Sequence, residues 1–337
     1  MLRVVVTGGA GFIGANLCRE LAACPRVDSV VAIDDLSTGS AANLDGADVR
    51  LVDGSILDRR LLDETVDGAD AVVHLAARPS VPRSLKNPAM THEVNASGTV
   101  YLLEACRRRS VHVVVASSSS VYGSVPELPK HEDLATRPLS PYGASKLAAE
   151  AYALAYGTGF GLPTLALRFF NVYGPLQPAG HAYAAVVPTF IDAALRGEPL
   201  CVQGDGHQTR DFTYVGTVTQ VLTDAVVRHV TCPTPVNLAF GTRMSILDLA
   251  DRLATVMGAS IETRHTAPRA GDVRDSQAAD GRLRHLFPQV APVPLEVGLV
   301  RTVQWFRGLP QYAGEPALAP APPGRTRTSR AEPYTPE

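Results

Sequence analysis

Nearly uninterrupted apolar runs recur through the first half of the chain, at residues 2–6, 30–33, 49–52, 71–75, 111–116 and 165–170. They are apolar throughout instead of alternating, as expected of strands covered by helices on both faces. Helix-length segments separate most of them, residues 15–23 among them. This alternation predicts an α/β fold with a parallel, doubly wound sheet. After Asn171 the pattern loosens into Pro-rich and Gly-rich stretches with shorter elements and one clear helix candidate at residues 245–257. Residues 1–171 are therefore expected to form the sheet domain and 172–310 mostly a smaller second domain, with parts of the later chain returning to the first. From Glu315 onward Pro, Ala, Arg and Thr dominate, with little apolar surface to offset ordering entropy. Residues 315–337 are expected to be a disordered tail, and no internal repeat is visible.

A length of 337 residues suits a large α/β domain with a smaller one appended, and so two lobes with a cleft. With 31 basic and 33 acidic residues the net charge is −2, which leaves no electrostatic footprint for nucleic acid or an anionic membrane. The N-terminus starts directly on a strand, and no apolar run approaches the ~18 residues of a membrane span. A cytoplasmic protein is expected. The five cysteines, Cys18, Cys24, Cys106, Cys201 and Cys232, form no C-x-x-C pattern and are read as reduced thiols. His74, His92, His112, His131, His181 and His207 lack metal-ligand spacing, so no metal is expected; His74 reads as a strand-end residue.

The first run leads into Thr7-Gly8-Gly9-Ala10-Gly11-Phe12-Ile13-Gly14 and then into a helix. Strand, tight turn and helix together are the setting in which a glycine fingerprint holds a dinucleotide on a Rossmann sheet. A side chain at Gly8 or Gly11 would obstruct the turn or hold the backbone off a pyrophosphate at the helix N-terminus, and Gly14 lets helix and strand pack closely. Phe12 and Ile13 fall in the same turn. Twenty residues past Gly14 the second run ends in Asp34, a carboxylate placed to accept from both adenosine ribose hydroxyls. No Arg stands at positions 35–40 to pair with a 2′-phosphate, so the cofactor is read as NAD.

Tyr142-Gly143-Ala144-Ser145-Lys146 places Tyr142 and Lys146 one helical turn apart on one face. A phenol near its ordinary pKa of ~10 is a poor base at neutral pH, but a nearby ammonium and the positive nicotinamide ring favour phenolate. Such a phenolate is a usable general base. Ala116-Ser117-Ser118-Ser119-Ser120-Val121-Tyr122-Gly123 follows an apolar strand, and a hydroxyl at that edge faces the cleft of an open sheet. Ser118 is the candidate to hydrogen-bond the reacting oxygen, with Ser119 and Ser120 lining the pocket.

These motifs, with His74-Leu75-Ala76-Ala77 and Arg168-Phe169-Phe170-Asn171-Val172-Tyr173-Gly174, resemble the extended short-chain dehydrogenase/reductase family, nearest its nucleotide-sugar 4-epimerases. The resemblance runs from Leu2 to about residue 308. It implies a retained NAD, a Tyr142 phenolate that removes the sugar 4-hydroxyl proton, and a 4-keto sugar that rotates and takes hydride back on its other face. By motif position Ser118 matches the catalytic Ser/Thr, Tyr142 the base, and Lys146 the residue that holds the nicotinamide ribose and lowers the tyrosine pKa. Leu75, Ala76, Ala77, Asn95, Ser55 and Ile56 fall in the cofactor site. Asn171, Arg210, Arg269 and Asp272 resemble nucleotide-diphosphate contacts, and two guanidiniums suit a pyrophosphate. The family also implies a homodimer through the Tyr142 helix and the helix at residues 88–109.

The chain departs from the pattern where Gly54 is followed by Ser55 instead of an Asp that contacts adenine, and where Arg78-Pro79 replaces a Lys-containing segment. Ser80-Val81-Pro82-Arg83-Ser84 and Tyr183-Ala184-Ala185-Val186-Val187-Pro188 instead resemble the UDP-N-acetylglucosamine 4-epimerases, which adds Val187 to the substrate contacts. Dehydratases of the family carry Asp-Glu, and UDP-glucuronate decarboxylases a Glu, where Ser119 and Ser120 stand here. A hydroxyl does not replace a carboxylate base, which favours hydride out and hydride back. Ser276 aligns with a bulky Tyr of epimerases restricted to glucose and galactose, so a 2-acetamido group has room. The expected activity is interconversion of UDP-glucose with UDP-galactose, of UDP-N-acetylhexosamines, or of both. UDP-glucuronate 4-epimerisation and a dehydratase or reductase are the alternatives. An NAD-binding regulatory protein is the non-enzyme reading, and the intact Ser118, Tyr142 and Lys146 speak against it.

Overall fold

Six strands form from the six apolar runs: β1 (Leu2–Thr7), β2 (Val27–Asp34), β3 (Arg50–Asp53), β4 (Ala71–His74), β5 (His112–Ser118) and β6 (Thr164–Phe169). A computed structural model describes residues 1–179, 184–267 and 273–312. The strands pair in parallel in the order β3-β2-β1-β4-β5-β6, and Val236–Leu238 adds a seventh strand beside β6. The chain steps outward from β1 to β3, then crosses back to place β4 on the other side of β1. That reversal opens a crevice at the carboxyl ends of the strands, where open α/β sheets bind ligands. Register sets the ends level: Thr7 pairs with both Ile33 and His74, and Ser118 with Phe169.

Helices α1 (Phe12–Ala22), α2 (Arg59–Val66), α3 (Val81–Lys86), α4 (Pro88–His92), α5 (Gly98–Arg107) and α6 (Pro141–Phe160) connect these strands. Between α4 and α5 the helix widens into a π-turn at Glu93–Ser97, a departure from the continuous helix expected over residues 88–109. Such turns depart from regular α-helical hydrogen bonding, and here the buried residues are Asn95 and Ala96.

Beyond residue 170 come β7 (Asn171–Tyr173), α7 (Val186–Leu195), β8 (Leu200–Gln203), β9 (Thr209–Arg210), β10 (Phe212–Tyr214) and α8 (Val215–Arg228). After β11 (Val236–Leu238) follow β12 (Met244–Ser245), α9 (Ile246–Met257), β13 (Thr263–Thr266), α10 (Gly281–Leu286) and α11 (Leu295–Arg307). Their short strands pair two by two, β7 with β10, β8 with β13 and β9 with β12. One core joins α7, α9 and α11 through Phe190, Ile191, Leu249, Leu253, Leu299 and Phe306. Val218, Leu222 and Ala225 of α8, Val236 and Leu238 of β11, and Leu283 of α10 instead pack with Val4, Val6 and Leu17 in the sheet core. Ile13 and Val172 touch both cores, at the seam under which the crevice lies. Among the described residues no helix is long and apolar enough to cross a membrane. The expected tail at 315–337 lies outside the described residues.

Candidate active site

The turn after β1 is built for close backbone approach. Gly8 has φ +71°, and a Cβ there would meet Ala76 N at 2.7 Å. A Cβ on Gly14 would lie 2.0 Å from the Gly8 carbonyl oxygen. Gly11 caps α1 without a side-chain bond, and the first turn carries no acid, so its leading N–H groups remain available to an anion. Asp34 ends β2, where its carboxylate accepts from Ala10 N at 3.0 Å and Leu36 N at 2.9 Å. Burial raises its pKa, while those two N–H groups act in the opposite direction. Each oxygen keeps a lone pair beyond those bonds.

A cavity of about 510 Å³ runs from this turn to the end of β5. Of the residues singled out in the sequence, Gly8, Gly11, Phe12, Ile13, Gly14, Asp34, Ile56, Leu75, Ala76, Ala77, Ser118, Tyr142, Lys146 and Asn171 line it. The glycine cradle, the open helix terminus and the strand-end carboxylate fit an NAD dinucleotide. Arg78, singled out above only as a departure from the family pattern, lines it as well, and Asp35, Ser37, Thr38 and Gln177 were missed, because they sit in loops whose direction only the closed fold sets. The Gln177 amide donates to the Val172 carbonyl at 3.2 Å, and its buried Oε1 has no partner among the described residues.

At the far end, the Ser140 hydroxyl caps α6 by accepting from Gly143 N at 3.1 Å, and Pro141 fits the first turn. Gly143 lets the helix press against the serine segment, since a Cβ there would lie 2.7 Å from the Ser120 carbonyl oxygen. Tyr142 and Lys146 thus reach the end of β5 from one helix face. The Lys146 ammonium donates to the Ala116 carbonyl at 2.7 Å, and burial brings its pKa down to about 8. Burial raises the pKa of the Tyr142 phenol, with the Ser118 hydroxyl bonded to it as the counteracting group. In the protein by itself burial is thus the largest influence on this phenol.

Asn95 does not line the cavity but braces it. Its Oδ1 accepts from Arg78 N at 2.7 Å, and its Nδ2 donates to Ser145 Oγ at 3.0 Å. His74, the last residue of β4, links this brace to the glycine turn. Burial, and then the charge of Lys146, bring the His74 pKa down to about 3, so the ring is neutral. The Thr99 hydroxyl donates to the Asn95 carbonyl at 2.6 Å and so accepts from His74 Nε2 at 2.9 Å. That leaves His74 Nδ1 to accept from the Thr7 hydroxyl at 2.7 Å. The network assigns one tautomer and ties three cavity walls together.

The remaining predicted residues divide. Ser119, Ser120, Arg210 and Ser276 line a second cavity of about 130 Å³, which shares Asn171 with the first. Ser55 does not face the large cavity; its hydroxyl accepts from Leu57 N at 3.2 Å in a local turn before α2. Val187 is 2 % exposed in the core of α7 and lines neither cavity, because hydrophobic burial claims its side chain. Arg269, Asp272 and Tyr183 lie outside the described residues. No cluster of metal-ligating side chains occurs among the described residues.

Behind the Tyr142 end of the cavity lies a charged pair with both side chains 3 % exposed. Arg168 of β6 forks onto Glu150 of α6 at 2.7 and 2.9 Å, and the Ser117 hydroxyl donates to the same carboxylate at 2.6 Å. Burial is the largest single influence and opposes the guanidinium charge, but the Glu150 hydrogen bond and charge, with Tyr122, together outweigh it and raise the Arg168 pKa. The pair locks α6 to β5 and β6 immediately beside Ser118.

A family model described as NAD dependent epimerase/dehydratase family matches residues 4–239. Among curated relatives, the UDP-glucose 4-epimerase of Mycolicibacterium smegmatis is 38 % identical over 92 % of this chain and 100 % of its own. The dTDP-glucose 4,6-dehydratase of Streptomyces niveus is 33 % identical over 91 % and 93 %. Among solved structures, the UDP-N-acetylglucosamine 4-epimerase of Methanobrevibacter ruminantium, in complex with UDP-N-acetylmuramic acid, superposes with TM-score 0.85 at 34 % identity over 90 % of this chain and 98 % of that one. The Thermus thermophilus UDP-glucose 4-epimerase, in complex with NAD, gives 0.82 at 34 % over 91 % and 99 %. The seven-stranded parallel sheet, the dinucleotide cradle and matches that span nearly the whole described chain agree, and this chain belongs to the NAD dependent epimerase/dehydratase family.

Proposed function

We propose that the protein is a UDP-sugar 4-epimerase that retains its NAD. One observation carries the choice of reaction within the family. Among the described residues, the carboxylates lining the two cavities are Asp34, Asp35 and Asp275. The first two sit at the glycine-turn end, and Asp275 accepts from the Thr209 hydroxyl at 2.6 Å and pairs with Arg243. A dehydratase needs a free carboxylate to take the C5 proton, and the serines beside Ser118 do not supply one. The relatives' names include epimerases, dehydratases and a decarboxylase, so this local chemistry is what favours the isomerase.

Tyr142 takes the proton of the sugar 4-hydroxyl as the C4 hydride departs, and Ser118 donates to the oxygen that becomes the 4-keto carbonyl. Bound NAD supplies the acceptor and later donor of that hydride, and a positive ring charge that favours the Tyr142 phenolate. Gly8, Gly11, Gly14 and Asp34 would hold its dinucleotide, and Lys146 its nicotinamide ribose. After the keto sugar turns over, Tyr142 returns its proton to O4 and the 4-epimer leaves. Arg210 and Asn171 would hold the UDP diphosphate. Ser276 keeps the small cavity open, which supports UDP-N-acetylhexosamines as well as UDP-glucose and UDP-galactose as substrates. A cytoplasmic homodimer through α5 and α6 belongs to the same reading, and Tyr152 and Phe160 are exposed on α6.

Incubation with UDP-glucose deuterated at C4 tests the reaction class. The expected product has the mass of the substrate with deuterium still on C4. A product lighter by one water would identify a dehydratase and overturn the isomerase reading.

A further inference from the structure

Asp211 lies between β9 and β10, fully buried, and lines neither cavity. Its carboxylate is bonded by neutral donors. One oxygen accepts from the Thr242 hydroxyl at 2.8 Å and the other from Ala278 N at 3.0 Å, and the Gly241 and Thr242 N–H groups donate to it as well. Its backbone carbonyl accepts from Asn171 N at 3.1 Å. One residue thus gathers the 241–242 loop, the segment at 278 and the edge of β7.

Those segments build the small cavity. Arg210 directly precedes Asp211, Ser276 stands two residues before Ala278, and Asn171 is shared with the large cavity. The neighbouring ties are neutral: Ser276 N donates to the Thr209 carbonyl at 3.1 Å, Ala279 N to the Lys130 carbonyl at 2.8 Å, and the Gln277 amide to the Gly241 carbonyl at 2.9 Å. The charged and titratable groups on the described elements around Asp211 are Arg210, His207, Lys130, Arg243, Asp275 and Asp280. Arg243 pairs with Asp275, Arg284 takes Asp280, Arg210 donates to the Thr209 and Arg274 carbonyls, and the Lys130 ammonium donates to the Val125 carbonyl. Burial brings the Asp211 pKa up to about 6, with its four donors acting against that rise. Protonation would turn an acceptor into a donor facing those N–H groups.

We propose that Asp211 is a positioning residue for the UDP-sugar, whose ionised carboxylate holds Asn171, Arg210 and Ser276 in the arrangement that binds the diphosphate and the hexose. The proposal rests on the UDP-sugar reading above. Calorimetric titration of the NAD-loaded protein with UDP-glucose between pH 7.5 and pH 5 tests it, because the diphosphate of that ligand stays ionised throughout. Binding and protonation of Asp211 oppose each other, so affinity is full at pH 7.5 and lost as the pH falls through about 6, by about tenfold at pH 5. Asp211→Asn mimics the uncharged side chain. It is expected to bind UDP-glucose about tenfold more weakly at pH 7.5 and to lose the pH dependence, with its NAD content unchanged. Thr242→Val, at an exposed position, removes one bond to the ionised form and so moves the fall in affinity to higher pH. This variant carries the test if Asp211→Asn does not fold. A wild-type affinity that stays flat from pH 7.5 to pH 5 would overturn the proposal. An equal fall in Asp211→Asn would assign the titration to another group and overturn it too, as would a Thr242→Val midpoint identical to that of wild type. If UDP-glucose binds at no pH, the UDP-sugar reading fails and the proposal with it, whereas binding without pH dependence removes the Asp211 role alone.

Discussion

Tyr142→Phe is expected to lower UDP-sugar turnover by roughly 100- to 10,000-fold, the contribution of a positioned general base, while the protein keeps its NAD. The ring of Phe fills the same buried space between α6 and the end of β5, so the packing that supports the cradle is preserved. What disappears is the oxygen that Ser118 bonds and that, in the proposed mechanism, exchanges a proton with the sugar. The measurement is kcat by NMR on the epimer signals, paired with NAD content after denaturation. Turnover within about fivefold of wild type would fall below any general-base contribution, and would show that Tyr142 is not the base. Loss of NAD together with activity would show that the variant acts through binding instead.

The second large effect concerns stability. Glu150→Ala leaves Arg168 charged, 3 % exposed and without its carboxylate, and removes the acceptor of Ser117. Breaking a buried pair in this way costs about 3–5 kcal/mol. Replacing both partners with apolar side chains, as in Glu150→Leu with Arg168→Met, is expected to cost less than the single change, because no uncompensated charge remains. Urea denaturation of the NAD-loaded proteins checks both. Equal stability of Glu150→Ala and wild type would mean that water or a rearranged side chain compensates Arg168. A double variant less stable than the single would mean that the fork contributes more than its desolvation cost.

The sheet was visible in the sequence because its strands are buried on both faces. Each of the six apolar runs became a strand, and residues 245–257 yielded α9. The seventh strand was not visible: Val236-Asn237-Leu238 is three residues long, and its place beside β6 comes from the return of α8 to the sheet core. The paired short strands at β7 to β10 escaped for the same reason, since two to four residues carry little periodicity. The glycine turn, Asp34, Ser118, Tyr142 and Lys146 were readable because backbone approach, helix spacing and strand ends constrain residue type directly. All of them line one cavity. Where tertiary packing decides, the sequence misled. Val187 is taken by the α7 core, Ser55 by a local turn, and Asn95 turns inward at a π-turn to brace Arg78. Lys130 lies in a loop with no pattern of its own, and only its backbone ties to residues 277 and 279 bring it to the small cavity.

The central claim is that this chain interconverts UDP-sugars at C4 with the NAD it already holds. The purified protein, with no NAD added, is incubated separately with UDP-N-acetylglucosamine, UDP-glucose and UDP-glucuronate while the anomeric proton signals are followed by NMR. Appearance of a C4 epimer from at least one of them is the predicted result, and it names the sugar. If no signal changes, even with NAD supplied and with GDP- and dTDP-sugars tried, the epimerase account is contradicted.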